Sequence, residues 1–138
     1  MGRFLAIDFG EKRVGLALSD PTKIIAKPFK SISYTNQDDL LNKISLIIEQ
    51  KNVEKIILGL PIGLKGQQTA QTNRVFEFYN LIKDKNDIQI VLEDERLSSI
   101  SAKKSLVLQN IKTGHNKALI DETAAAIFLQ LYLDKNNI

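Results

Sequence analysis

Cysteine and tryptophan are absent from this chain of 138 residues, and histidine occurs once, at His115. The lack of cysteine excludes disulfide frameworks, thiolate zinc sites and cysteine nucleophiles together. His115 lies in a polar stretch with no second histidine nearby, so we interpret it as a surface residue. No apolar run approaches the roughly 18 residues that a membrane-spanning helix needs. The N-terminal residues enter a strand pattern at once, which does not resemble a signal peptide. We therefore expect a cytoplasmic protein with no membrane partner.

The composition is otherwise that of an ordinary globular protein. Hydrophobic residues make up 43% of the chain and charged residues 25%, which is enough apolar side chain for a core. The formal net charge of +3 permits a polyanionic partner but does not demand one. No repeat, low-complexity segment or linker rich in Gly, Pro or Ser divides the chain. We therefore predict a single domain over residues 1–138.

The spacing of apolar residues predicts the element order βββαβαβαα. The segments FLAIDF and RVGLALS are typical of an antiparallel hairpin, and AKPFKSISY of a weaker third strand. Strands then alternate with helices, which favours right-handed crossovers and parallel pairing. A capping pattern of Thr35 and Asp38 predicts the start of the first helix. The fold class is therefore α/β, with a mixed five-stranded sheet (antiparallel strands 1–3, then parallel additions) and helices on both faces.

Acidic residues interrupt the apolar patterns at three places. Asp8 ends the first strand, Glu93–Glu95 follow the fifth strand, and Asp121 lies on the apolar face of the last helix. Each has an ordinary explanation when taken alone. Asp8 could cap the glycine turn or pair with Lys12 or Arg13, Glu93–Glu95 could be a solvated strand end, and Asp121 could be stabilised by the helix dipole.

Together, the acids indicate a divalent metal site. The predicted topology brings the ends of strands 1 and 5 to one sheet edge, and a final helix across that edge brings Asp121 to them. Carboxylates that converge repel one another unless a cation lies between them, and Mg²⁺ prefers such oxygen ligands. Two ions about 4 Å apart can promote phosphodiester cleavage. Strand alternation separates Asp94 from Glu93 and Glu95, but it does not say which face is inward.

Basic residues adjoin the suspected ligands. Lys12 and Arg13 follow Asp8, Arg96 follows the acidic cluster, and Lys65 lies in the loop GLPIGLKG. Arginine binds phosphate bidentately, so a basic rim around an acidic site suits a nucleic-acid backbone. The loop lacks the glycine-lysine-hydroxyl ending of a Walker-type phosphate loop, which excludes that class of nucleotide site.

Five segments resemble, in this order and spacing, the YqgF/RuvX family, which has a ribonuclease H-like fold: AIDFGEKRVGLALSD, LGLPIGLKG, QTNRVFEF, EDERLSS and IDETAAAIFLQLYL. Family members are described as pre-16S rRNA nucleases or as Holliday junction resolvases. The resemblance implies a hydrolase acting on ester bonds, with Mg²⁺ or Mn²⁺ as cofactor. By motif, Asp8 matches the acid of strand 1, Asp94 and Glu95 match the acids of the Asp-Glu-Arg run, and Asp121 matches the helix acid. Glu122 stands where the family usually has a small residue such as serine.

The resulting prediction is a metal-dependent nuclease that acts in 5′-end maturation of pre-16S rRNA, a step of ribosome biogenesis. The expected catalytic residues are Asp8, Glu95 and Asp121, and these three with Asp94 are the expected metal ligands. Lys12, Arg13, Lys65 and Arg96 are expected to bind nucleic acid. One alternative is a Holliday junction resolvase, which would act as a homodimer on a two-fold junction. Others are a non-catalytic nucleic-acid-binding module and an actin-like phosphotransferase, which normally needs two such domains.

Overall fold

The computed structural model describes residues 2–10, 13–60, 70–94 and 117–136, with side chains in the last segment described from Asp121 onward. The strands are β1 (Arg3–Phe9), β2 (Arg13–Ser19), β3 (Ala26–Ser33), β4 (Val53–Leu60) and β5 (Gln89–Asp94). The helices are α1 (Gln37–Gln50), α2 (Ala70–Lys85) and α3 (Lys117–Asn136). The predicted helix around residues 99–109 lies outside the described part of the chain. None of the described helices is long and apolar enough to cross a membrane.

The sheet has the strand order β3-β2-β1-β4-β5, which places β1 at its centre. Strands β1, β2 and β3 pair antiparallel, whereas β4 and β5 add to β1 in parallel. This arrangement confirms the predicted mixed sheet. Because β1, β4 and β5 run in the same direction, their carboxyl ends meet at one edge of the sheet.

Two apolar cores cover the two faces of the sheet. On the first face, α1 and α2 bury side chains against alternate residues of the strands: Leu40, Ile44, Phe78 and Ile82 against Leu5, Ile7, Leu16, Ile56 and Leu58. On the second face, α3 packs on smaller residues, with Ala125 and Leu129 against Ala6 and Ala17. Small residues on both sides allow α3 to approach the strands closely. Helices therefore lie on both faces, as predicted.

The start of α1 differs by one residue from the prediction. The N-cap is Asn36, whose Oδ1 accepts a hydrogen bond from the Asp39 amide at 2.8 Å. Asp39 in turn accepts a hydrogen bond from the Thr35 amide at 3.0 Å. This bond, together with Lys43, holds the pKa of Asp39 below its usual value. The predicted pair of Thr35 and Asp38 is wrong because Asn36 supplies the capping oxygen instead.

Candidate active site

Asp8 is a buried carboxylate at the carboxyl end of the central strand, with 4% of its surface exposed. Strand alternation places it on the same face as Ala6, which packs against α3. Its cross-strand partner on β2 is Gly15. Directly opposed residues of an antiparallel pair have Cα atoms roughly 4.5–5.5 Å apart and share a face. Whatever lies over Gly15 is therefore a neighbour of Asp8.

Helix α3 lies directly over Gly15. A Cβ atom built on this glycine would be 2.2 Å from the carbonyl carbon of Asp121 and 2.5 Å from the backbone nitrogen of Glu122. These are backbone atoms, so no side-chain rotation could relieve the overlap. The glycine allows the first turns of α3 to rest on β2. The fold thereby brings Asp121 beside Asp8, as the sequence predicts.

Gly10 provides the second close approach to the same acid. Its backbone nitrogen donates to the Arg13 carbonyl oxygen at 2.8 Å, which closes the hairpin between β1 and β2. A Cβ atom on Gly10 would lie 2.6 Å from Asp121 Oδ2. The carboxylate of Asp121 therefore occupies the space above the turn that follows Asp8.

Arg13 is the first residue of β2, and its side chain lies near the same carboxylate of Asp121. Its Nε is 3.8 Å from Asp121 Oδ2, and the two side chains are 35% and 20% exposed. A pair this long and this exposed contributes little to stability. The guanidinium remains accessible at the rim of the site, where a planar five-donor group can receive a phosphate.

Strand β5 places its acids on different faces of the sheet. Asp94 pairs with Leu60, which packs with the core under α1 and α2, so Asp94 lies on the face of the sheet opposite to that of Asp8. Glu93 pairs with Gly59 and faces α3, where its Oε1 lies 3.7 Å from Lys135 Nζ. Since Ile7 pairs with Leu58, Glu93 lies level with Asp8. The two are two strand spacings apart, roughly 10 Å.

The structure therefore brings Asp8, Asp121 and Arg13 together and directs Asp94 toward the other face. Glu95, Arg96, Lys12 and Lys65 lie outside the described residues. Within the ranges that are described, no group of three acidic or histidine side chains could hold a metal ion.

Several residues that support this site were not predicted as site residues. The amide of Gln71 on α2 donates to the carbonyl of Phe9, the residue directly after Asp8. Glu122 accepts a hydrogen bond from Ser31 Oγ at 3.2 Å, which ties the start of α3 to β3. Signals for both exist in the sequence, since Gln71 belongs to the segment QTNRVFEF and Glu122 stands where the resemblance leads us to expect a small residue. Neither signal says which atom the side chain would contact.

The chain matches the RuvX family, described as Holliday junction resolvase, over residues 2–135. A protein of Dictyoglomus thermophilum named "Putative pre-16S rRNA nuclease" is 38% identical over 136 residues, covering 99% of this chain and 98% of its own. A protein of the same name from Maridesulfovibrio salexigens is 40% identical, covering 95% and 97%. A structure titled "T. thermophilus RuvC in complex with Holliday junction substrate" superposes with a TM-score of 0.66.

The structural likeness extends over 99% of this chain and 98% of the other, at 10% sequence identity. At that identity it shows the fold alone, and it confirms the predicted ribonuclease H-like fold. The family assignment rests on the sequence matches, which run over nearly the full length of both chains. On that evidence the chain belongs to the RuvX family.

Proposed function

We propose that this protein is a metal-dependent nuclease that matures the 5′ end of pre-16S rRNA. The observation that carries the proposal is the placement of Asp121 beside the buried Asp8, with Arg13 at the rim. Relatives of nearly the same length carry a name for this activity. Two neighbouring carboxylates supply the oxygen ligands that a divalent cation prefers, so the pair favours a cation between them.

The donor set fits Mg²⁺ or Mn²⁺. Both ions take oxygen ligands, and Mg²⁺ in particular binds through one or two carboxylates together with substrate phosphate. Asp8 and Asp121 would hold the ion, and we propose Glu95 as a further ligand. When bound, the ion would supply Lewis-acid activation of water and stabilisation of the leaving oxygen.

The residues of the chain would position the substrate around these acids. Arg13 would bind a phosphate oxygen next to the scissile bond through its partly exposed guanidinium, and Gly10 would leave the space above the turn to the carboxylate of Asp121. The backbone holds both acids, because Asp8 lies within β1 and Asp121 is seated against Gly15. The expected products carry a 5′-phosphate. Such a fixed geometry would lower the entropic cost of aligning the substrate.

A Holliday junction resolvase is the second candidate, favoured by the description of the RuvX family itself. The same acids would serve this activity, because the bond that is cut is again a phosphodiester. The difference lies in the substrate and the assembly, since a two-fold junction calls for two copies of the chain.

Cleavage of two substrates side by side tests the proposal. Purified protein should cut a transcript containing the 5′ leader of pre-16S rRNA in the presence of Mg²⁺, and EDTA should abolish the cleavage. A four-way DNA junction is the matched alternative substrate and should be cut at least about tenfold more slowly, a difference of about 1.4 kcal/mol in transition-state stabilisation. Cleavage of the junction alone would establish the resolvase instead. Binding of both substrates without cleavage of either would establish a non-catalytic module.

A further inference from the structure

The ammonium groups of Lys30 and Lys51 lie over the ring of Phe29 on the sheet face opposite Asp121, and Lys27 lies on the same face. We propose that Lys27, Phe29, Lys30 and Lys51, here called the Phe29 patch, bind the phosphodiester backbone of a single-stranded segment of the substrate, away from the scissile bond. This inference rests on the proposed function, because the occupant is the nucleic-acid substrate. It adds a second binding surface that none of the acidic motifs indicates.

A β-bulge creates the patch. The pairing of β2 with β3 shifts between Leu16 and Ala17, so that Lys30 pairs with Leu16 and Pro28 with Ala17, and Phe29 is the extra residue. Lys27 pairs with Leu18. Leu16 and Leu18 both pack with the core under α1 and α2. Lys27 and Lys30 therefore share that face, whereas a spacing of three residues in a regular strand would put them on opposite faces.

The ammonium groups of Lys30 and Lys51 both lie against the ring of Phe29. Their nitrogens are 5.1 and 5.4 Å from its centroid. Lys51 comes from the end of α1 and Lys30 from β3, so two separate elements converge on the ring. Lys27, Lys30 and Lys51 form no ion pair among the described residues, and the pairs that are described involve other lysines. Cations brought together in this way favour an anion between them.

An open groove of about 520 Å³ begins at the patch and runs between β3 and α1. Its floor is apolar, with Ile32, Ile47 and Leu46, which is 52% exposed. Lys43 lies on its wall but is occupied, since it donates to the Ser33 carbonyl oxygen at 2.7 Å and pairs with Asp39 at 3.2 Å. Lys30 is the lysine of the patch that lines the groove, and a cation beside an apolar floor suits a single strand, whose phosphates meet the lysine while sugars and bases contact the floor.

The patch is within reach of a strand bound at the active site. On β3, Ser31 pairs with Gly15 and Ser33 with Arg13. Because Lys30 precedes Ser31, it lies close to the site along the strand direction, but on the other face of the sheet. β3 is an edge strand, two strands from β1 and therefore roughly 10 Å away. Among the described residues no strand pairs with the outer side of β3, and α3 lies over β3 at Ser31, where Glu122 accepts a hydrogen bond. A backbone that leaves Arg13 and turns around β3 would meet Lys30 after a few nucleotides.

A salt series of RNA binding tests the patch. The double variant Lys30→Gln/Lys51→Gln is compared with Lys83→Gln/Lys85→Gln, which removes the same charge from α2. Lys83 is a matched control because its ammonium also lies over an aromatic ring, 5.6 Å from the centroid of Tyr79. Both double variants are made in the Asp8→Asn protein so that the probe stays intact. The probe is fluorescein-labelled single-stranded RNA, and binding is followed by fluorescence anisotropy.

The patch variant should bind the RNA on the order of tenfold more weakly near 0.1 M salt, and the slope of log affinity against log salt should fall by roughly 1.4, about 0.7 for each lost phosphate contact. The α2 control should keep the parent slope. An unchanged slope in the patch variant, or an equal loss in the control, would overturn the proposal that the patch binds RNA. Its lysines would then only protect an edge strand from pairing with another chain. Absence of RNA binding by the parent protein would overturn the proposed function as well. If the wild type cleaves RNA but the patch variant keeps the parent slope in the binding series, the patch proposal alone would be overturned.

Discussion

Replacing Asp8 by asparagine should reduce the rate of Mg²⁺-dependent cleavage by on the order of 100-fold or more, with no loss of the folded state. Asparagine has the same shape as the buried aspartate, so the packing against α3 is retained. It lacks the negative charge that balances the ion. Residues that only support a metal ligand typically contribute about 10- to 100-fold to metal affinity or activity, and a direct ligand should contribute at least as much.

The matched control is Asp134→Asn, which makes the same change of charge on the exposed end of α3. Asp134 is 13 residues beyond Asp121, which places it roughly 20 Å along the helix. Its replacement should leave the cleavage rate unchanged. Single-turnover cleavage of the pre-16S leader transcript measures the rates, and circular dichroism verifies the fold. An Asp8→Asn protein that cleaves as fast as the wild type would show that Asp8 is structural.

The second large effect is expected from Gly15→Ala, because there is no room between β2 and α3 for the added methyl group. The new Cβ would lie 2.2 Å from a backbone atom of Asp121, so α3 would have to move away from β2. Overpacking of this kind typically costs about 1–3 kcal/mol of unfolding free energy. A displacement of Asp121 by about 1 Å should also reduce cleavage on the order of 100-fold. Urea unfolding and single-turnover cleavage measure the two effects.

Gly2→Ala is the control for crowding that lies away from the site. Its Cβ would be 2.7 Å from Glu54 Cβ and 2.9 Å from the Asn52 carbonyl oxygen, at the opposite end of β1. This variant should lose stability but keep its cleavage rate. If Gly15→Ala kept full activity while losing stability to a similar extent, the seating of α3 on β2 would not determine the position of Asp121.

The sequence was sufficient to predict the topology and the convergence of Asp8 with Asp121. Short apolar segments identified the strands, and the alternation of strands with helices favoured parallel additions to β1. Once β1 was central, its end and the start of a helix packed on its face had to meet. Asp121 was predicted to lie on the apolar face of that helix, and Gly15 allows the helix to approach β2 closely.

The phase of β5 could not be predicted, because alternation defines two faces without saying which one faces α3. Packing decides it: Leu92 joins the core under α1 and α2, whereas Val91 joins the core under α3. Asp94 therefore shares a face with Leu92, and Glu93 with Val91. The bulge at Phe29 was also not predictable, since it depends on how β2 and β3 are paired. Both features are set by contacts between elements and not by the sequence of one element alone.

The most direct test of the account is a titration of Mn²⁺ binding by electron paramagnetic resonance on the wild type, Asp8→Asn and Asp121→Asn. The central claim is that these two carboxylates form one divalent-cation site, which the contacts of Asp121 with Gly10 and Gly15 place beside β1. Each substitution should weaken Mn²⁺ binding by on the order of tenfold or more. Wild-type affinity in both folded variants would contradict the claim.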